Sequence, residues 1–171
     1  RAMIEGAANP DAVVDKAHVP RVPRRNRRDW AEWDGWSALF IACFSADLTI
    51  ARLLLDAGAS TELRVNESGA TVLMLIASNS AHLPAQGIPA AELLLDCGAE
   101  VNAVNDDGWT PLRLAAYEGN TAMAETLLAR GANVHMKSAD GTIALVAAVA
   151  RGHIDTARAL LEAGADADST N

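Results

Sequence analysis

The sequence predicts an all-α solenoid, built from stacked helix-turn-helix units with hairpin or loop connections. Three observations predict it. A Gly-Ala pair recurs at Gly58-Ala59, Gly98-Ala99, Gly131-Ala132 and Gly164-Ala165, at intervals of 40, 33 and 33 residues. A glycine opens each copy, at Gly35, Gly69, Gly108 and Gly141, and in three of the four it stands 23 residues before the closing glycine. Such a fixed period marks an array of stacked repeats. Finally, 50% of the 171 residues are hydrophobic but only 4% are aromatic, so Ala and Leu must build the core. Small side chains let helices approach closely, which suits thin repeating layers rather than one thick core.

The clearest copy is DGWTPLRLAAYEGNTAMAETLLARGANVH, from Asp107 to His135. It resembles the ankyrin repeat, and Thr110-Pro111-Leu112 matches that family's central motif. The resemblance covers four full repeats, at about 33–67, 68–105, 106–138 and 139–171, plus an N-terminal partial repeat.

Residues 1–12 read as the tail of that preceding unit. Met3 and Ile4 match the paired leucines of LLEAGADAD, Ala7-Ala8 the Gly-Ala pair, and Asn9-Pro10-Asp11 the start of a turn. Residues 13–32 then break the period as a basic, proline-containing insertion. Pro20 and Pro23 remove backbone donors and favour an extended path, and the chain re-enters the array near Trp30.

In the first repeat, Ser37 is placed to cap a helix over 37–45 and Asp47 a second over 48–57, because a side-chain oxygen there accepts exposed first-turn amides. Leu39, Ile50, Leu53 and Leu54 give the apolar stripe at helical spacing. The second repeat carries Thr71 as a cap, a first helix ending near Ser80, and six extra residues, 81–86, before a second helix with Pro89 in its first turn. Ala91, Leu93 and Leu94 restore its core. The third is the most regular, with Thr110 as cap, Pro111 as first helical residue, and Leu112, Ala115, Ala116, Met123, Leu127 and Leu128 as core. The fourth replaces Thr-Pro with Ile143-Ala144 and loses the hydroxyl cap, while Leu145, Ala147, Ile154, Leu160 and Leu161 keep the packing. No polar capping helix follows ADADSTN, so Leu160-Leu161 are expected to be partly uncovered, and the chain is expected to be a piece of a longer protein.

Charge divides the chain unevenly. The net charge is −8, yet residues 1–33 carry net +2 and residues 34–171 net −10. An acidic body argues against nucleic-acid binding by the repeats themselves. The segment 16–28 holds six positive charges and no acid. Its run 21–28, with Arg24, Arg25, Arg27 and Arg28, stays open to three readings: phosphate contact with nucleic acid or anionic lipid, a nuclear-import signal, or a loop docked on its own acidic body.

Catalytic and metal constellations are missing from the sequence. His18, His82, His135 and His153 lie in different units without metal-ligand spacing, and no nucleophile motif, P-loop or Cys-x-x-C occurs. His153 fills the family's Gly-His position opening a second helix, a structural place. We therefore expect no enzyme, no cofactor and no metal. Cys43 falls at the small-residue slot occupied by Ala116 in the best copy and is expected to be buried. Cys97 precedes a closing glycine, nearer the surface. An unbridged pair fits an intracellular setting, cytoplasmic or nuclear. No apolar run reaches the roughly 20 residues that span a bilayer.

The resemblance implies a protein-protein interaction module, probing partners with its hairpin tips and the concave face of its first helices. Mapped residue by residue, this gives Trp33, Asp34, Trp36 and Phe44 in the first repeat and Glu67 in the second. The third gives Asp106, Asp107, Trp109, Tyr117 and Glu118, and the fourth Asp140 and Arg151. Large apolar residues in such solvated slots need a reason, and Trp, Tyr and Arg dominate binding hot spots. The reason is either partner binding or the covering of a neighbouring hairpin by each Trp. An aromatic-plus-acid strip suits a partner that is basic or carries apolar anchors, met by a monomer. The alternatives are phosphate recognition through 21–28 and a structural spacer between flanking domains. The fourth slot of the central motif is usually His, tying adjacent loops; here it is Phe40, Met74, Arg113 and Val146, so that tie is expected to be lost.

Overall fold

The computed structural model describes residues 9–11, 37–65, 68–78 and 87–168. Eight helices run through them: α1 Ala38–Phe44, α2 Leu48–Asp56, α3 Val72–Ser78, α4 Gly87–Asp96, α5 Pro111–Glu118, α6 Thr121–Ala129, α7 Ala144–Ala150 and α8 Ile154–Glu162. No strand occurs among the described residues; an antiparallel bridge joins Val65 and Ala70. The first helices of successive repeats stack as α1, α3, α5 and α7, and the second helices as α2, α4, α6 and α8. Each pair also packs on itself. The result is two parallel ranks of short helices with the core between them.

Local chemistry starts and stops these helices where the sequence predicts. Ser37 Oγ accepts Phe40 N–H at 3.1 Å, and Asp47 Oδ1 accepts Ile50 N–H at 3.0 Å. Thr71 Oγ1 takes the Met74 amide at 3.4 Å and Thr110 Oγ1 the Arg113 amide at 3.1 Å. Each cap relieves a first-turn donor left without an intrahelical acceptor. Ile143 precedes α7 with no side-chain cap. At the other end, the closing glycines adopt φ of 92°, 90°, 88° and 90°. That left-handed turn costs a side-chain-bearing residue roughly 1–2 kcal/mol, and it sends the next amide back to the helix. Ala59, Ala99, Ala132 and Ala165 N–H reach Leu54, Leu94, Leu127 and Leu160 O, each at 2.9 Å. The recurring Gly-Ala pair is the imprint of this one backbone motif.

Successive repeats are also laced along their loops. Glu62 Oε1 accepts Glu100 N–H at 2.9 Å, and Asn102 Oδ1 accepts Asn133 N–H at 2.8 Å. Both acceptors stand four residues after a closing glycine. Asp11 Oδ1 takes Ser60 N–H at 2.7 Å in the same manner, four residues after Ala7. At the hairpin tips, Asp106 N–H donates to Ser68 O at 3.1 Å and Ala139 N–H to Asp107 O at 3.4 Å.

The core follows the predicted small-and-leucine pattern. Leu39, Leu94, Leu112, Met123, Leu127 and Leu160 are fully buried, interleaved with Ala51, Ala77, Ala91, Ala115, Ala116 and Ala124. Burying one such leucine contributes about 1.5–3 kcal/mol. Cys43 joins the core, where desolvation pushes its thiol up to about 12, while Cys97 is exposed; both are free.

Three residues expected in the core are not there: Ile50, Leu53 and Ile154 are 48%, 63% and 73% exposed, while Leu161, expected to be partly uncovered, is 45% exposed. The stripe is real, but each of these residues faces outward along the stack. Ile50 occupies the slot of Ala90 and Met123, which the preceding repeat covers; Ile154 occupies the slot of Thr121, whose hydroxyl meets Thr156 of the following repeat at 2.8 Å. Leu160, expected to be partly uncovered with Leu161, is fully buried, because it faces into its own unit. The insertion 13–32 and residues 81–86 lie outside the described residues.

Candidate functional site

Among the described residues, the third repeat supplies the largest side chains in the solvated slots, and local geometry brings them together with the fourth. Trp109 follows the opening Gly108, and Tyr117 lies in the last turn of α5. Their rings meet edge to face, with centroids 5.3 Å apart and planes at 62°. The corresponding slots in the second repeat hold Ala70 and Ser78, and in the fourth Thr142 and Ala150. Both rings are half-buried. The first repeat holds Trp36 and Phe44 there, so aromatics in these slots alternate with small residues rather than being a requirement of the repeat design.

Two arginines bracket the pair. Arg113 Cζ lies 4.2 Å from the Trp109 centroid, and Arg151 Cζ lies 4.4 Å from that of Tyr117. Arginine suits this place because its planar, weakly hydrated guanidinium stacks on a ring face. Arg113 is only 6% exposed, and its Nη2 donates to Asp140 Oδ2 at 2.9 Å. Its Nε and Nη1 are buried without an acceptor.

Asp140 is the polar knot of the fourth hairpin tip. Its Oδ1 accepts from Ser138 Oγ at 2.5 Å, Thr142 Oγ1 at 2.6 Å and Thr142 N–H at 3.0 Å. The Ser138 hydroxyl first, then the Thr142 hydroxyl and amide and the Arg113 guanidinium, hold this carboxyl well below the usual carboxylate range. Hydrogen bonds to the charged form are the physical cause. Behind the pair, His153 Nε2 lies 2.9 Å from Tyr117 O. A side chain at Gly119 would strike the His153 ring. His153 is thus structural, linking α5 to the start of α8.

The expected loss of the loop tie is corrected here. Histidine is absent from the slot, but Arg113 replaces it, reaching from α5 to the next hairpin tip through Asp140. Arg113 was also missed as a site residue. The usable signal was a cation in an otherwise apolar slot, 27 residues before an acid at the following tip.

Of the other mapped residues, Asp106 is exposed and lies 3.7 Å from Arg64 Nη1. Asp107 is exposed beside it, and Glu118 neighbours Tyr117 at the end of α5. Phe44 is half-buried on the first repeat and pairs with Phe40 at 5.5 Å, packed against the core. Trp33, Asp34, Trp36, Glu67, Arg24, Arg25, Arg27 and Arg28 lie outside the described residues. Two of the acids on the strip are thus engaged internally, Asp106 by Arg64 and Asp140 by Arg113. Among the described residues no three His, Cys, Asp or Glu side chains gather to hold a metal ion, and no helix is long and apolar enough to cross a membrane.

Stacked pairs of short helices with left-handed closing turns and linked hairpin tips define a helical repeat solenoid, a class that works through its surface. Its family is equally definite. Residues 81–171 match the model for ankyrin repeats in three copies, and residues 34–66 match the single ankyrin repeat. The chain belongs to the ankyrin-repeat family. No curated protein matches it. Members of this family are generally protein-protein interaction modules.

Proposed function

We propose that this chain is a binding module without turnover of its own, and that its partner protein docks on the hairpin-tip and first-helix face of the third and fourth repeats. One observation carries the reading. Trp109 and Tyr117 form a half-exposed aromatic pair, held by Arg113 and Arg151, in slots that the neighbouring repeats fill with small residues. Aromatic side chains fixed in advance offer large contact area at little entropic cost on docking. Asp107 and Glu118 border the pair and supply polar contacts around it. Residues 1–12 fit as the tail of a preceding repeat, supported by Asp11, which accepts Ser60 N–H at the loop position that Glu62 and Asn102 use. Two unbridged cysteines support an intracellular setting.

The test is a double substitution. Trp109→Ala with Tyr117→Ala, in the protein used as bait, should abolish capture of the proteins that the wild type retains, with the far-UV circular dichroism unchanged. An unchanged set of captured proteins removes this face from the account.

A further inference from the structure

The two stacked arginines differ in burial and in what meets their donors. Arg113 lies on Trp109 at 4.2 Å and its Nη2 donates to the Asp140 carboxylate at 2.9 Å. Arg151 lies on Tyr117 at 4.4 Å in the same fashion, and no carboxylate among the described residues forms an ion pair with it. A guanidinium laid on a ring keeps its N–H donors in its own plane, directed outward past the ring edge. Stacking therefore orients the fork without consuming it. The first arginine finds its acceptor within the chain; the second, exposed at the end of α7, presents its fork to solvent.

We propose that Arg151, held on Tyr117, recognises a carboxylate: an Asp or Glu side chain of the docked protein, with that partner's adjacent apolar residue against the Trp109–Tyr117 pair. The Arg113–Asp140–Trp109 arrangement is the precedent for a ring-stacked arginine that meets a carboxylate, although Arg113 stacks within its own repeat and Arg151 reaches back to a ring of the preceding one. A carboxylate fits better than a phosphate group. Asp106, Asp107 and Asp140 stand along the same strip, and their field opposes a doubly charged anion more than a singly charged one. The acidic body as a whole does not exclude an acidic partner, because charges beyond roughly 8 Å are screened at physiological ionic strength. The nearer acids Asp106 and Asp140 already face Arg64 and Arg113. The proposal keeps the expected apolar anchor and places an acidic rather than a basic residue beside it.

The inference rests on the reading of this face as the docking surface, and one experiment separates the two. A phage library of random peptides is selected on the folded chain at physiological salt. Enriched peptides are expected to share Asp or Glu beside an aromatic or aliphatic residue. Their affinity should fall about tenfold or more in Arg151→Ala, the loss of one charge-assisted hydrogen-bonded contact, and should fall further in Arg151→Glu. Arg151→Lys, which keeps the charge but not the fork, should recover only part of it. Peptides that need Trp109 and Tyr117 but tolerate Arg151→Glu overturn the carboxylate site and leave the face intact. Peptides indifferent to Trp109→Ala and Tyr117→Ala overturn the face itself. Enrichment of Lys- and Arg-rich peptides, or no enrichment, also overturns the carboxylate site.

Discussion

The third and fourth repeats are built on one pattern, 33 residues apart, and the same slot behaves differently in each. Ala116 is fully buried, while Val149, its counterpart, is 64% exposed. Thr121 is half-buried against Thr156, while Ile154 is 73% exposed. Leu127 and Leu160, by contrast, are both fully buried. A repeat therefore buries its own leucine row, but only a following helix pair buries its outward row. Chemistry follows the same division. The aromatic pair, both stacked arginines and the Asp140 knot all lie where these two repeats meet.

The largest expected effect tests the difference in burial. Leu127→Ala should cost about 2–5 kcal/mol, as removal of a packed leucine leaves a cavity. Ile154→Ala should stay within about 0.5 kcal/mol, as exposed side chains do. Urea unfolding of the two variants measures both, and equal losses would erase the distinction between inner and outer slots.

A smaller effect probes the junction. Arg113 is buried with two donors unmet, each a desolvation cost of about 1–3 kcal/mol. Its counterpart in the second repeat is Met74, which is fully buried. Removing one partner of an ion pair is costly when it strands the other charge in the interior, but Asp140 is 57% exposed and keeps its Ser138 and Thr142 donors. Arg113→Met should accordingly raise stability by about 1 kcal/mol in thermal melts, while loosening Trp109. A loss of that size would mean that the link to Asp140 outweighs the unmet donors.

The smallest effect is acid sensitivity. The folded pKa of Asp140 lies below its usual 3.8, so its contribution is complete above that value and is lost as pH falls through the folded pKa. Wild type should therefore exceed Asp140→Asn in stability at neutral pH, and the gap should close below roughly pH 4. A gap that stays constant down to pH 3 would show that the hydroxyl and amide contacts add nothing to the charged form.

Much of the fold was legible because its signals are local. Closing glycines, Ser37, Asp47, Thr71 and Thr110 act within three or four residues of themselves, so their chemistry can be read from spacing. The apolar stripe was legible as a stripe only. Ile50, Leu53 and Ile154 carry the right periodicity, but whether a neighbour covers them depends on position in the stack, which periodicity does not encode. The site divides in the same way. Trp109 and Tyr117 sit eight residues apart on one loop-helix unit, so their shared face followed from the repeat pattern. Arg113 escaped, since its partner Asp140 belongs to the next repeat and its stacking on Trp109 depends on a rotamer.

The central claim is that a partner covers the junction of the third and fourth repeats. Amide hydrogen exchange of the chain, with and without its captured partner, tests it most directly. Slower exchange confined to about 104–118 and 138–151 is the predicted result. Protection on α2, α4 and α6, with those two segments unchanged, would contradict it.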